Sequence, residues 1–383
     1  MRKLGILFLA IATLSCGEKE SAESGSSNLL ENFSFSVDTV IVDPGEEIIN
    51  LSRGVNLSSL NESKTHFYLL DEQEGHVKKI SLDQLVLEEI IPFEKEGPNG
   101  IGANYHTKAL LLPGEDFLFT SFQVSGIFSK EGKLLKDLKI KPDDIQIEGM
   151  EESESNNLTN QFTLAKDRKT AFSLPGNFIA GSRKLVKMDL ENATGKILPI
   201  PAMDIAGQFR ILLESKEAMS IYVESINLQE FEDALYISAQ PTNKIYRYDY
   251  DTDSMQLLEY DFQLVPDQKE NPIQNKVSSK EEFDAQMDKA LTQISFEKLL
   301  YDSKNERFYR FGRIYKPKLE GEDRYTRARV FLFAFDKELN LIGETEISEL
   351  EKVPDSPFFK DGKLWSYVNV EDELGFAVFT FDF

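Results

Sequence analysis

Chemistry at neutral pH needs groups that donate, accept or attack, and this chain offers few of them in a recognisable arrangement. Its 383 residues contain three histidines (His66, His76 and His106) and a single cysteine, Cys16. The histidines share no metal-ligand spacing. There is no nucleophile elbow, phosphate loop, H-E-x-x-H pair or G-x-G-x-x-G turn. No metal and no cofactor are called for. His66 lies in a strand-like segment, which suits a packed or hydrogen-bonded side chain. Asp249-Tyr250-Asp251-Thr252-Asp253 begins like a calcium loop. However, Ser254 stands where that loop needs its sixth-position glycine, and Tyr260 where it needs a bidentate glutamate. The segment reads as a hairpin turn whose aspartates accept from nearby amides.

Charge narrows the partners. Asp and Glu number 66 against 43 Lys and Arg, a formal net charge of −23. That balance opposes nucleic-acid binding, which requires neutralised phosphates, and simple adhesion to anionic lipid surfaces. Against this background, cations on long connections stand out. Arg210, Arg313, Arg324 and Arg327, with Tyr105 and His106, are the candidate ligand contacts, and no residue is assigned as catalytic. Paired carboxylates for glycan hydrolysis or elimination are easy to draw in so acidic a chain, so their presence decides nothing.

The elements that would position these residues are strands. After residue 33 the chain alternates polar and apolar residues between polar turns, the half-buried strand signal. A turn followed by an aromatic-rich strand recurs six times. It appears at Asn61–Lys64, Pro113–Asp116, Lys166–Lys169, Glu230–Asp233, Asp302–Glu306 and Lys360–Lys363. A second strand–turn–strand unit follows each of the first five. The sixth unit runs into the C-terminus, and Phe33 to Val42 is a strand left over at the start. The expected fold is therefore all-β: a six-bladed β-propeller of four-stranded blades, its last blade completed by the N-terminal strand. A seven-bladed ring, a β-sandwich and two separate β domains are the alternatives. One interruption reads as a helix near 280–292, with a capping box at Ser279-Lys280-Glu281-Glu282 and apolar Phe283, Met287, Leu291 and Ile294. It is either a lid over a ligand or a decoration of a long connection.

The first residues form an address. Arg2 and Lys3 precede an apolar run from Leu4 to Leu14, too short to span a bilayer but suited to a signal peptide. Thr13-Leu14-Ser15-Cys16 resembles a lipobox, with Thr13 where leucine is usual. An ordinary secretory signal is the alternative. The domain reading is a lipoprotein signal peptide at 1–15, a flexible polar tether at 16–32 and one propeller domain at 33–383. Cys16 is the lipidation site, and processing leaves no thiol for a disulfide. Gly17, rather than aspartate, follows the cysteine. The expected location is the outer membrane, as a lipoprotein on the periplasmic side or the cell surface, and the chain is expected to be monomeric.

Three strings join this lipobox: Glu96-Gly97-Pro98-Asn99-Gly100-Ile101-Gly102, Phe359-Lys360-Asp361-Gly362-Lys363-Leu364-Trp365, and Glu371-Asp372-Glu373-Leu374. Together they resemble the bacterial lipoprotein family known as domain-of-unknown-function family 4221, typical of Bacteroidetes-like organisms. The resemblance covers roughly residues 30 to 383. It implies a propeller-like fold and a surface address, and it implies no catalytic residues. Read from the residues, the glycine-rich string makes a sharp crossing between blades, the acidic run Glu148 to Glu154 is a solvated loop, and Trp365 is core. Propeller geometry gathers the long connections 93–106, 141–159, 201–218, 263–291 and 313–328 on one face. The expected role is a binding or scaffold module for a peptide, glycan or partner protein there, and the alternative is a propeller enzyme acting on a glycan as hydrolase or lyase.

Overall fold

The computed structural model describes residues 28–383 except 104, 122–123, 139, 141–143, 151–157, 159–160, 177–182, 215–218 and 323. The expected signal peptide, Cys16 and the expected tether as far as residue 27 lie outside the described residues. The fold is all-β and propeller-like. Strand β1 (Ser34–Ile41) is followed by a sheet of β2 (Ser58–Leu60), β3 (His66–Asp71), β4 (His76–Ser81) and β5 (Val86–Pro92). The next sheet holds β6 (His106–Leu112), β7 (Asp116–Ser121), β8 (Ser125–Phe128) and β9 (Leu134–Asp137). Strand β10 (Gln146–Glu148) adds in parallel to the outside of a third sheet, β11 (Thr163–Leu164), β12 (Thr170–Ser173), β13 (Leu185–Asp189) and β14 (Thr194–Leu198). Helix α1 (Ile205–Gln208), β15 (Ile211–Glu214) and β16 (Met219–Tyr222) lead to a fourth sheet, β17 (Ile226–Phe231), β18 (Ala234–Ala239), β19 (Ile245–Asp249) and β20 (Ser254–Leu258). After β21 (Lys276–Val277) and helix α2 (Lys280–Leu291) comes a fifth, β22 (Ser295–Asp302), β23 (Arg307–Tyr315), β24 (Ala328–Phe335) and β25 (Leu341–Glu346). The chain ends with β26 (Phe358–Lys360), β27 (Lys363–Val370) and β28 (Glu373–Asp382).

Strand β1 pairs antiparallel with β28 from Ser34↔Asp382 to Ile41↔Gly375 and completes that last sheet. Gly375 is required there, because a Cβ would sit 2.9 Å from Val370 and 3.1 Å from the Val40 carbonyl. Phe33 meets Phe381 edge-on at 5.0 Å, and Phe35 lies 5.6 Å from Phe379. The pairing covers an edge that would otherwise offer a row of free backbone groups. The fold begins earlier than the composition of the tether suggests. Leu30 is buried against the fifth sheet, and the Asn28 side chain bonds the Glu344 backbone, so residues 28–32 are docked onto the fold.

Apolar faces of consecutive sheets lock together. Tyr68 and Phe117 join the first and second sheets; Leu118 and Met188, the second and third; Phe172 and Tyr246, the third and fourth. Tyr236 and Phe308 join the fourth and fifth, Tyr309 and Phe379 the fifth and last, and Phe376 and Phe67 return to the first. The succession is thus cyclic. First strands are also tied across sheets. The Leu111 amide donates to Ser59 Oγ at 2.9 Å, Lys108 Nζ donates to the Phe162 carbonyl at 2.6 Å, and the Gln229 amide bridges both backbone groups of Leu299. Buried Arg310 crosses from the fifth sheet to the fourth, donating to the carbonyls of Glu297, Asn243 and Ala239.

The long connections hold structure that the sequence pattern did not announce. Strands β15, β16 and β21 make a separate three-stranded sheet, of which β15 and β21 fall in segments read as long connections. The pairing of β15 with β21 is parallel and two residues long, too short for any local periodicity. Ile211, Leu213 and Val277 form its apolar face, against which Phe283 and Met287 of α2 pack. The helix starts as expected: Ser279 Oγ accepts from the Glu282 amide at 3.1 Å, while Glu282 accepts from the Ser278 amide at 2.9 Å. Ile294 lies beyond the helix and joins the core between the fourth and fifth sheets. Of the acidic run 148–154, expected as a solvated loop, Glu148 is the exposed last residue of β10, and residues 151–154 lie outside the described residues.

Candidate functional site

Beside α2 lies a cavity of about 750 Å³. Its walls come from five places, one of them Gln240 just after β18. Strand β23 brings Arg313 and Tyr315 to the open end of the fifth sheet, Arg313 facing Ser295 and Val330 in register. The β23–β24 connection brings Lys318, Glu322, Arg324 and Tyr325; helix α2 brings Lys280, Asp284, Met287, Asp288 and Leu291; Tyr222 ends β16. The connection holds its own shape. The Lys316 amide donates to the Arg327 carbonyl at 2.9 Å, and Glu322 accepts from the Leu319 amide at 2.7 Å and from Thr326 Oγ1 at 3.1 Å. These bonds hold the Glu322 carboxyl below its ordinary range.

Asp288 of α2 fastens helix to loop. It accepts from the Tyr325 hydroxyl at 2.6 Å and pairs with Lys318 at 3.3 Å. The Lys318 ammonium also lies over the Tyr325 ring at 5.1 Å, and Tyr315 and Tyr325 have centroids 5.1 Å apart. Burial, then the Asp288 carboxylate, pushes the Tyr325 phenol above its usual pKa. Arg313 pairs with Glu297 through Nη1, stacks over Tyr315 at 5.1 Å, and keeps a buried Nε with no partner. Arg324 is exposed and has no hydrogen bond or ion pair among the described residues.

Under the helix is a charged floor. The Tyr222 hydroxyl donates to Glu224 at 2.8 Å, Glu224 pairs with Lys269, and Lys269 Nζ donates to the Ala290 carbonyl in the last turn of α2 at 2.7 Å. The Lys269 and Glu224 side chains are 0% and 1% exposed. Burial lowers the Lys269 pKa and, with the Glu224 carboxylate, raises that of Tyr222. A second cavity of about 1080 Å³ runs along the first strands, lined among others by Lys64, Asn227, Lys298 and Tyr367. It shares Gln240, Arg313, Tyr315 and Tyr325 with the first.

Of the residues singled out in the sequence, Arg313 and Arg324 meet in this cavity. Arg327 is turned into its own loop, donating to the Pro317 carbonyl at 3.3 Å and pairing with Glu322 at 3.7 Å. Arg210 is buried, with Nε and Nη1 unpartnered, and lines neither cavity. His106 is buried too. Its Nε2–H donates to the Ile101 carbonyl at 2.8 Å, and Nδ1 lies 2.8 Å from Glu72, which also pairs with Arg53. Burial is the largest influence on His106 and lowers its pKa. Tyr105 is exposed at a positive φ of 64° and lies on neither cavity wall. His66 bonds Glu88 at 3.0 Å, and the Asp249 turn accepts from the Thr252 amide at 3.0 Å. The glycine-rich string bonds to its own backbone, Gly100 N–H to Gly97 O at 3.1 Å; a Cβ at Gly100 would meet the Glu96 backbone at 2.8 Å. Trp365 packs with Phe358 and Phe376. Sequence reasoning missed Tyr222 and Tyr315, which end strands and look like core, and Tyr325, which lies on the β23–β24 connection.

Fold and site define the class: a cyclic, propeller-like β protein with a cavity walled by a helix and the long connections. The sequence profile of the family described as "Domain of unknown function (DUF4221)" matches residues 26–346, and the chain belongs to that family. A crystal structure of a family member from Bacteroides vulgatus is similar, with a TM-score of 0.64 and 13% identity over 91% of this chain and 98% of that one. A Bacteroides fragilis protein described as exported gives a TM-score of 0.49 at 9% identity, covering 93% and 97%. The β-propeller domain of Cps50 (Swd1) from Myceliophteria thermophila gives 0.42 at 10%, covering 88% and 90%. No curated protein matches the chain.

Proposed function

We propose that this chain is a lipid-anchored envelope protein, a six-bladed propeller that binds a peptide, glycan or partner protein under α2. The observation that carries the reading is the join between the two cavities at Gln240, Arg313, Tyr315 and Tyr325. A ligand entering at the mouth meets cations and phenols already fixed by their neighbours, with space continuing along the first strands. The Lys318–Asp288 pair is partly exposed, and such pairs are worth about 0–1 kcal/mol; the Tyr325 hydroxyl's bond to Asp288 is the firmer tie between helix and loop. Arg313 and Arg324 are the proposed contacts. The apolar run to Leu14 and the placement of Cys16 support the anchor and an outer-membrane address. Among the described residues no helix is long and apolar enough to cross a membrane.

A glycan-cleaving reading needs two carboxyls about 5–10 Å apart, one keeping its proton at neutral pH. The acids of the cavity are otherwise employed: Asp284 pairs with Lys280, Asp288 serves Tyr325 and Lys318, and Glu322 holds the loop. These engagements favour binding. Leu319, 59% exposed on the β23–β24 connection, and Leu135, 53% exposed on β9, make a matched pair for photo-cross-linking in intact envelopes. An adduct from a benzophenone at 319 and none from 135 is expected; adducts from 135 alone, or from neither, would reject the site. Cys16→Ser should move the protein from the membrane to the soluble fraction.

A further inference from the structure

We infer that the cavity beside α2 takes a polyhydroxylated carboxylate, a sugar acid carried on a short oligosaccharide. The inference rests on the reading of that cavity as a ligand site and adds the ligand's chemistry, drawn from the polarity of the lining groups. The Tyr222 hydroxyl donates its hydrogen bond to Glu224 and the Tyr325 hydroxyl donates to Asp288. A phenol whose proton is committed to a carboxylate can only accept from a ligand. The arginines have the opposite polarity. Among the described residues Arg324 has no hydrogen bond or ion pair, and Arg313 keeps an unpartnered Nε beside its pair with Glu297. Guanidinium only donates, and a carboxylate matches its fork.

A fitting ligand therefore brings donors to two tyrosine oxygens and one anionic acceptor to the arginines. The hydroxyls and carboxylate of a sugar acid supply both. An ammonium would also satisfy the tyrosines, but it would lie among Lys280, Arg313, Lys318 and Arg324, while the cavity's acids are already engaged. A long polyanion is opposed by the chain's net charge of −23. The rings of Tyr315 and Tyr325 and the side chains of Met287 and Leu291 offer apolar surface for the C–H face of a sugar. At about 750 Å³ the cavity lies within the range of small-ligand sites, about 300–1,000 Å³, and its opening into the second cavity accommodates further rings.

The test is isothermal titration calorimetry of the purified full chain with trigalacturonate, the matching neutral galactotriose, and a tripeptide with a free C-terminal carboxylate. The acidic trisaccharide is expected to bind at least about tenfold more tightly than the neutral one, about 1.4 kcal/mol. Arg324→Gln should erase most of that preference without moving the thermal midpoint. Tyr325→Phe should weaken both sugars alike. Equal affinity for the two sugars, a preference that survives Arg324→Gln, tighter binding of the tripeptide, or no sugar binding at all would each overturn the assignment. Cross-linking from position 319, next to Lys318 of the cavity wall, would still report on a ligand at that wall, so the two readings fail separately.

Discussion

Replacing Lys269 with methionine tests the floor on which α2 rests. The substitution keeps volume and apolar stem but removes the ammonium, leaving Glu224 buried beside Tyr222 alone and the Ala290 carbonyl without its donor. Stranding one member of a buried pair costs about 3–5 kcal/mol. At about 2 °C per kcal/mol for a large domain, the thermal midpoint should fall by about 6–10 °C. In Lys269→Met/Glu224→Leu the stranded charge is gone, and about half or more of the loss should return. Calorimetry or circular dichroism on the wild type, both single variants and the double variant closes the cycle. A single-variant loss below about 1 kcal/mol, or a double variant as unstable as the summed singles, would refute the reasoning.

Other consequences are open to similar checks. Arg310→Met leaves three carbonyls, those of Glu297, Asn243 and Ala239, without donors and should destabilise by about 3 kcal/mol or more in urea unfolding, with little change in circular dichroism. Burial, reinforced by the Lys298 charge, lowers Lys108 to about 8. The unfolded chain then binds the extra proton between pH 8 and the ordinary lysine value. Stability should therefore rise through that window by up to about 3 kcal/mol, and Lys108→Met should flatten the rise in melting experiments. Deleting residues 28–41 uncovers β28 and should give aggregates on size exclusion, and a peptide spanning 33–42 supplied in trans should restore a soluble species.

Most of the sheet framework was legible because its signals are local. Period-two alternation and the turns at Pro113–Asp116 and Lys360–Lys363 locate strands from a few neighbouring residues, and the unpaired strand after Phe33 has one natural slot beside the C-terminal strand. What escaped depends on contacts remote in sequence. The β15–β21 pairing and the parallel addition of β10 involve strands of two to four residues with no pattern of their own. The site was half legible. Arg313 and Arg324 stood out as cations on a long connection in an acidic chain. Arg210 and His106 look the same in sequence, and only packing shows them buried. Tyr222 and Tyr315 were hidden because an aromatic at the end of a strand reads as core until the neighbouring helix is in place, and Tyr325 because its partner Asp288 is remote in sequence.

The reading turns on whether ligand sits beneath α2. Hydrogen–deuterium exchange on the purified chain, with and without soluble glycans and peptides released from cell envelopes, measures this most directly. Protection is expected at 280–291 and 313–327 together, with the hairpin turns 113–116 and 360–363 unchanged. Protection confined to other segments, or none at any ligand concentration, would contradict it.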